Sequence, residues 1–137
     1  MNTQLVAYLM FEGQAKEAMD FYKSIFGGKL ESQTFAEIPG YEGSEENKDK
    51  IMHAQLESDG FTVMASDSMD GETIKGGNQI CLTFVSNDDS RMTEIYTKLS
   101  GSGGKVIDEL SEKFWGDKFG VVEDKFGITW MFNITKA

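Results

Sequence analysis

Two stretches of this chain carry nearly the same pattern: "FYKSIFGGKL" at 21–30 and "IYTKLSGSGGKV" at 95–106. Each reads as the end of an amphipathic helix, a glycine stop, then Lys and an apolar residue that begin a strand. A chain that repeats this punctuation is expected to fold as two copies of one supersecondary unit.

The surrounding segments extend the repeat. "QLVAYLMF" at 4–11 is a strand followed by a helix over about 14–26, where Ala15, Ala18, Met19, Tyr22, Ile25 and Phe26 recur at helical spacing. "QICLTFV" at 79–85 is its counterpart, followed by a helix in "DDSRMTEIYTKLS" with Met92, Ile95, Tyr96 and Leu99 on one side. "HAQLESDGFTVMAS" predicts a hairpin turning at Asp59-Gly60, and "GVVEDKFGITWMFN" predicts a second, turning between Asp124 and Gly127. Each half is therefore βαβββ. The expectation is a single α+β domain over 1–137, with repeats at 1–68 and 77–137 joined by a linker at 69–76. The first half is longer by "EIPGYEGSEENKD", which holds the one proline and reads as a surface loop.

Charge and residue counts exclude several functions. A net charge of −10 disfavours nucleic acid and anionic membrane surfaces, both of which require clustered cations. The N-terminal apolar run is too short for a signal peptide or a membrane span, and one cysteine forms no internal disulfide, so a cytoplasmic location is expected. A Zn site of the Cys/His type cannot be assembled from one His and one Cys. No Walker loop, nucleophile elbow or dinucleotide fingerprint occurs.

Period-2 alternation divides the hairpin strands into faces. His53, Gln55, Thr62, Met64 and Ser66 share a mixed face; Met52, Ala54, Leu56, Phe61, Val63 and Ala65 form an apolar one that should lie under a helix. In the second half Ile128, Trp130 and Phe132 oppose Thr129, Met131 and Asn133, while Ile80, Leu82 and Phe84 oppose Gln79, Cys81 and Thr83. One dry and one semi-polar face per sheet point to a cleft or an interface.

The motifs "DKIMHAQLESDGFTVMASDS" and "FWGDKFGVVEDKFGITWMF", with "DFYKSIFGGKL" after the first strand, resemble the glyoxalase/bleomycin-resistance (vicinal oxygen chelate) superfamily. Within it the chain is most similar to the PhnB-like branch, whose domain carries a 3-demethylubiquinone-9 3-methyltransferase label. The resemblance covers nearly the whole chain. It implies the glyoxalase/bleomycin-resistance/dihydroxybiphenyl dioxygenase fold, two βαβββ modules curled around a central cavity, and a homodimer. Metal-using members place His, Gln or Glu ligands on the first and last strands of each module. Those positions fall near Ala7 and on Met64, Gln79 and Met131, and of these only Gln79 is a ligand type. The resemblance thus implies no metal and no cofactor. It implies a small-molecule binding protein that holds an apolar or aromatic ligand between the modules. The alternative is a divalent-metal-dependent isomerase, lyase or dioxygenase with non-standard ligands. Methyl transfer is not expected, because a Gly-rich loop on an open parallel sheet is missing.

The candidate cavity residues are Ala7, His53, Gln55, Met64, Ser66, Gln79, Cys81, Phe114, Trp115, Thr129 and Met131. His53 reads either as a general base or as a structural histidine bonded to Ser66 or Asp67. Cys81 is a reactive thiol or an inert half-buried one, and Met64 and Met131 fill core or line the cavity. Phe114 and Trp115 form a lid or a dimer contact.

Overall fold

The computed structural model describes residues 3–68 and 73–136, so part of the expected linker, residues 69–72, lies outside the described residues. The chain divides into two compact units, Met1–Lys75 and Gly76–Ala137.

In the first unit, β1 (Ala7–Phe11) leads into α1 (Ala15–Phe26), then β2 (Lys29–Thr34), β3 (Ile51–Ser58) and β4 (Phe61–Asp67). The sheet order is β1-β4-β3-β2; β1 lies parallel to β4 and the other pairs are antiparallel. α1 buries the expected stripe of Ala15, Ala18, Met19, Tyr22 and Phe26 against Leu9, Phe11, Ala54, Leu56, Val63 and Ala65. Burying each of the larger side chains contributes about 1.5–3 kcal/mol. Phe26 stacks on Tyr22 and meets Phe61 edge-on, which ties the helix end to the start of β4.

The N-terminus of α1 has no side-chain cap of its own, since Gln14 makes none. Asp67, at the far end of β4, supplies it from 52 residues away: its Oδ1 accepts from Ala15 N–H at 2.9 Å and from Gly13 N–H at 2.8 Å. Oδ2 accepts from Ile51 N–H at 2.8 Å. One buried carboxylate thus joins helix, turn and β3.

A single 3₁₀ turn (Phe35–Glu37) opens the long loop before β3. The loop closes at its neck, where Phe35 N–H donates to Lys50 and Ala36 N–H to Lys48, each at 3.0 Å. The β3–β4 hairpin turns at Asp59-Gly60 as expected, with Ser58 opposite Phe61 and Gly60 at φ 94°.

The second unit repeats the plan: β5 (Leu82–Ser86), α2 (Asp89–Gly101), β6 (Lys105–Glu112), β7 (Lys118–Glu123) and β8 (Thr129–Ile134), in order β5-β8-β7-β6 with β5 and β8 parallel. Here the helix caps itself, Asp88 accepting from Arg91 N–H at 3.1 Å. Phe84 stacks between Trp130 and Phe132, and Trp130 Nε1 donates to the buried Asp124 at 2.8 Å. Asp124 also accepts from Phe126 and Ile128 N–H, holding the β7–β8 turn. Trp130 and Phe132 are therefore core beside a satisfied carboxylate.

The glycines of the repeated motif have a shared cause. A Cβ on Gly28 would lie 2.1 Å from the Glu57 carbonyl oxygen. One on Gly104 would lie 2.3 Å from the Leu99 carbonyl oxygen and 2.8 Å from that of Glu123. In register, Lys29 then pairs with Glu57 and Lys105 with Glu123.

Two expectations need correction. The first strand of each unit starts three residues later than periodicity indicates, at Ala7 and Leu82. Ala7 already pairs with Val63 near the start of β4, and Leu82 with Trp130 near the start of β8, so in these parallel pairs earlier residues run past the start of the partner strand. Ile80, expected in the apolar set, is consequently 85% exposed.

Candidate functional site

Residues in register on neighbouring strands project to the same side of a sheet. In the first unit Tyr8, Met64, Gln55 and Glu31 thus form one row across β1-β4-β3-β2. Met10 pairs with Ser66, and His53 with Gln33, one step along the same face. This is the face turned away from α1. Ala7 does not belong to it: its partner Val63 lies under the helix, and the residue level with Met64 is Tyr8. The one-residue offset moves the candidate position from Ala7 to Tyr8.

Neither of the partners expected for His53 holds it. The Asp67 carboxylate serves three backbone N–H groups, and Ser66 Oγ donates to Met10 Sδ at 3.4 Å. His53 Nδ1 instead shares a 3.1 Å hydrogen bond with the Tyr8 hydroxyl, the rings 5.8 Å apart. Tyr8 is 46% exposed, so the pair stands at the surface of the mixed face.

At the hairpin end of this face lies a hollow of about 670 Å³, lined by Gln55, Glu57, Thr62 and Met64 together with Leu5 and Val6 from the arm before β1. Gln55 Nε2 donates to Glu57 at 2.7 Å, fixing both side chains. Glu57 follows Gln55 by the strand period, yet its position at a strand end makes it read as a solvated charge in the sequence. Lys29, level with Glu57, donates to Glu31 at 2.9 Å. That bond to Glu31 is the main cause of the raised pKa of the exposed Lys29 ammonium.

In the second unit Thr83, Met131 and Val121 form the row equivalent to Tyr8, Met64 and Gln55, with Asn133 and Phe119 one step on. Thr129 sits level with Glu123 at the start of β8. Gln79 and Cys81 precede β5 and take no part in the ladder, so Thr83, not Gln79, is opposite Met131. Phe114 is 97% exposed and Trp115 50%; the Trp115 ring meets Phe119 at 6.0 Å, which places the aromatic turn beside this face. A smaller hollow of about 300 Å³ near the start of α2 is lined by Asp89, Lys118, Glu112 and Lys136 among others. Its charges are mutually engaged, Lys118 with Asp89 at 2.5 Å and Lys136 with Glu112 at 3.6 Å. The Lys118 hydrogen bond, helped by one from Thr93, lowers the Asp89 pKa below 3.8.

The residues level with each other on β1 and β4 thus present a phenol and a thioether, and those on β5 and β8 an alcohol and a thioether. Thioethers are soft donors with little affinity for Mg²⁺ or Mn²⁺. Among the described residues no three His, Cys, Asp or Glu side chains gather as a metal site. Among the described residues no helix is long and apolar enough to cross a membrane.

Residues 3–133 match the family model described as 3-demethylubiquinone-9 3-methyltransferase. The chain is 30% identical to protein YjdN of Escherichia coli, covering 96% of this chain and 95% of that protein. It is also 30% identical to an uncharacterized Mycobacterium tuberculosis protein, over 85% of this chain but only 65% of the relative's length. Among solved structures, protein PA1353 from Pseudomonas aeruginosa superposes with a TM-score of 0.87 at 33% identity, covering 99% of this chain and 100% of that one. A glyoxalase/bleomycin resistance protein/dioxygenase family enzyme from Burkholderia phytofirmans shares the fold at 12% identity, with a TM-score of 0.61 over 94% of this chain and 95% of that one.

Proposed function

We infer the function from one premise: the chain belongs to the family described as 3-demethylubiquinone-9 3-methyltransferase, within the glyoxalase/bleomycin-resistance superfamily. On that premise we propose that it is a small-molecule binding protein that holds an apolar or aromatic ligand on its mixed sheet faces without a divalent ion. The observation that carries this reading is the pair of rows centred on methionines, Met64 beside Tyr8 and Met131 beside Thr83. A polarisable thioether in a shallow polar surround favours contact with apolar groups and rings over coordination of a hard cation.

Methyl transfer does not follow from the family's description. A typical methyltransferase holds its adenosyl cofactor at a Gly-rich loop of an open parallel sheet. Each sheet here has four strands and a single parallel pair. We further propose a cytoplasmic homodimer, on the strength of the superfamily alone.

Native mass spectrometry of protein purified without added metal tests the reading. A metal-free dimer, with or without a small organic adduct, is the expected result. A stoichiometric divalent ion that survives desalting would overturn it in favour of a metal-dependent isomerase, lyase or dioxygenase.

A further inference from the structure

We propose that the first unit's hollow takes a ligand with a positively charged amine or ammonium group on an apolar or aromatic body, with Glu57 as counter-ion. The inference rests on the binding reading above and adds the charge of the ligand to it.

Glu57 is the one ionisable side chain among the residues that line the hollow. Its bond from Gln55 comes from a neutral amide and uses one of its acceptor positions. The cation nearest in register, Lys29, donates to Glu31. Glu57 contributes least among the causes that stabilise the Lys29 ammonium. The remaining lining divides by chemistry. Leu5, Val6 and Met64 offer apolar contact, and Thr62 and Gln55 offer neutral polar groups. An anionic ligand would meet repulsion from Glu57 and no cation among the lining residues. A cation on an apolar body would gain the Glu57 carboxylate for its charge and Met64, Leu5 and Val6 for its body.

Three probes with one aromatic body separate the possibilities: a naphthylmethyl-trimethylammonium, the naphthylmethyl alcohol and naphthylmethanesulfonate. Binding is read from the ¹³C-methyl resonance of Met64 in methionine-labelled full-length protein at about 0.15 M salt, where bulk charge is screened beyond about 8 Å. The expected order is cation, alcohol, sulfonate, with about tenfold between the first and last. Glu57→Gln should bring the three within about twofold. Glu45→Gln, which removes the same charge from an exposed loop, should leave the order intact. Equal binding of cation and alcohol to the unaltered protein, or an order that survives Glu57→Gln, overturns the inference and leaves the binding reading standing. If no probe moves the Met64 methyl, this face is not a ligand site, and the binding reading fails for the first unit as well.

Discussion

Asp67 shows how much one side chain can carry when its partners are all backbone. Three N–H groups from the turn before α1, from α1 itself and from β3 depend on it, and the site is buried. Asp67→Ala strands those donors without water, and each costs about 1–3 kcal/mol when left unpaired. The expected loss is about 3–5 kcal/mol, read from chemical denaturation as a lower midpoint with the slope unchanged. Asp89 is the contrasting case, a carboxylate at the surface. Its folded pKa is depressed, so its contribution to stability is present above the unfolded value of 3.8 and is lost as pH falls through the lower folded value. Lys118→Met removes the main cause. The Asp89 carboxyl resonance should then titrate closer to 3.8 in an NMR pH series, while the unfolding midpoint at neutral pH barely moves, as befits an exposed pair.

At the scale of elements, the repeated glycine motif is a packing requirement before it is a turn signal. Gly28 passes so close to the Glu57 carbonyl that any side chain must push β2 away from β3, and its φ of 102° adds strain for any other residue. Gly28→Ala should destabilise the chain by about 3 kcal/mol. Circular dichroism melts would check this. Gly27→Ala, where no neighbour lies within 4 Å, should lose less at its φ of 73°. Much of this level was legible beforehand. Both helices, both hairpin turns and the two-faced β3–β4 pair follow from spacing and turn residues alone. The starts of β1 and β5 were not, because alternation continues through Leu5 and Ile80 whether or not a partner strand runs beside them. Ala7 was a candidate through the family resemblance, and that it is Tyr8 which stands level with Met64 is decided by register with β4. Asp67 was hidden for another reason. Its contacts to Gly13 and Ala15 span more than 50 residues, and no local pattern announces a cap that arrives from another element.

For the whole molecule, the net charge of −10 acts on every ligand before any one residue does. It draws cations toward the surface generally and weakens with salt. A preference that belongs to Glu57 must therefore persist at physiological ionic strength, whereas one owed to the overall field fades between about 0.01 M and 0.15 M. Measured at both salts, the cation-to-sulfonate ratio should fall for the unaltered protein yet stay well above that of Glu57→Gln. The two units hold separate four-stranded sheets, each with its own helix and aromatic core. They differ most plainly where the first carries its long loop and the second turns tightly between Lys113 and Asp117. Because that loop is tied at its neck by bonds from Phe35 and Ala36 to Lys50 and Lys48, its tip around Gly40 is mechanically insulated from β2 and β3. It is a natural handle: a tag or fluorophore grafted there would report on the protein while the sheet that bears Met64 and Glu57 keeps its register.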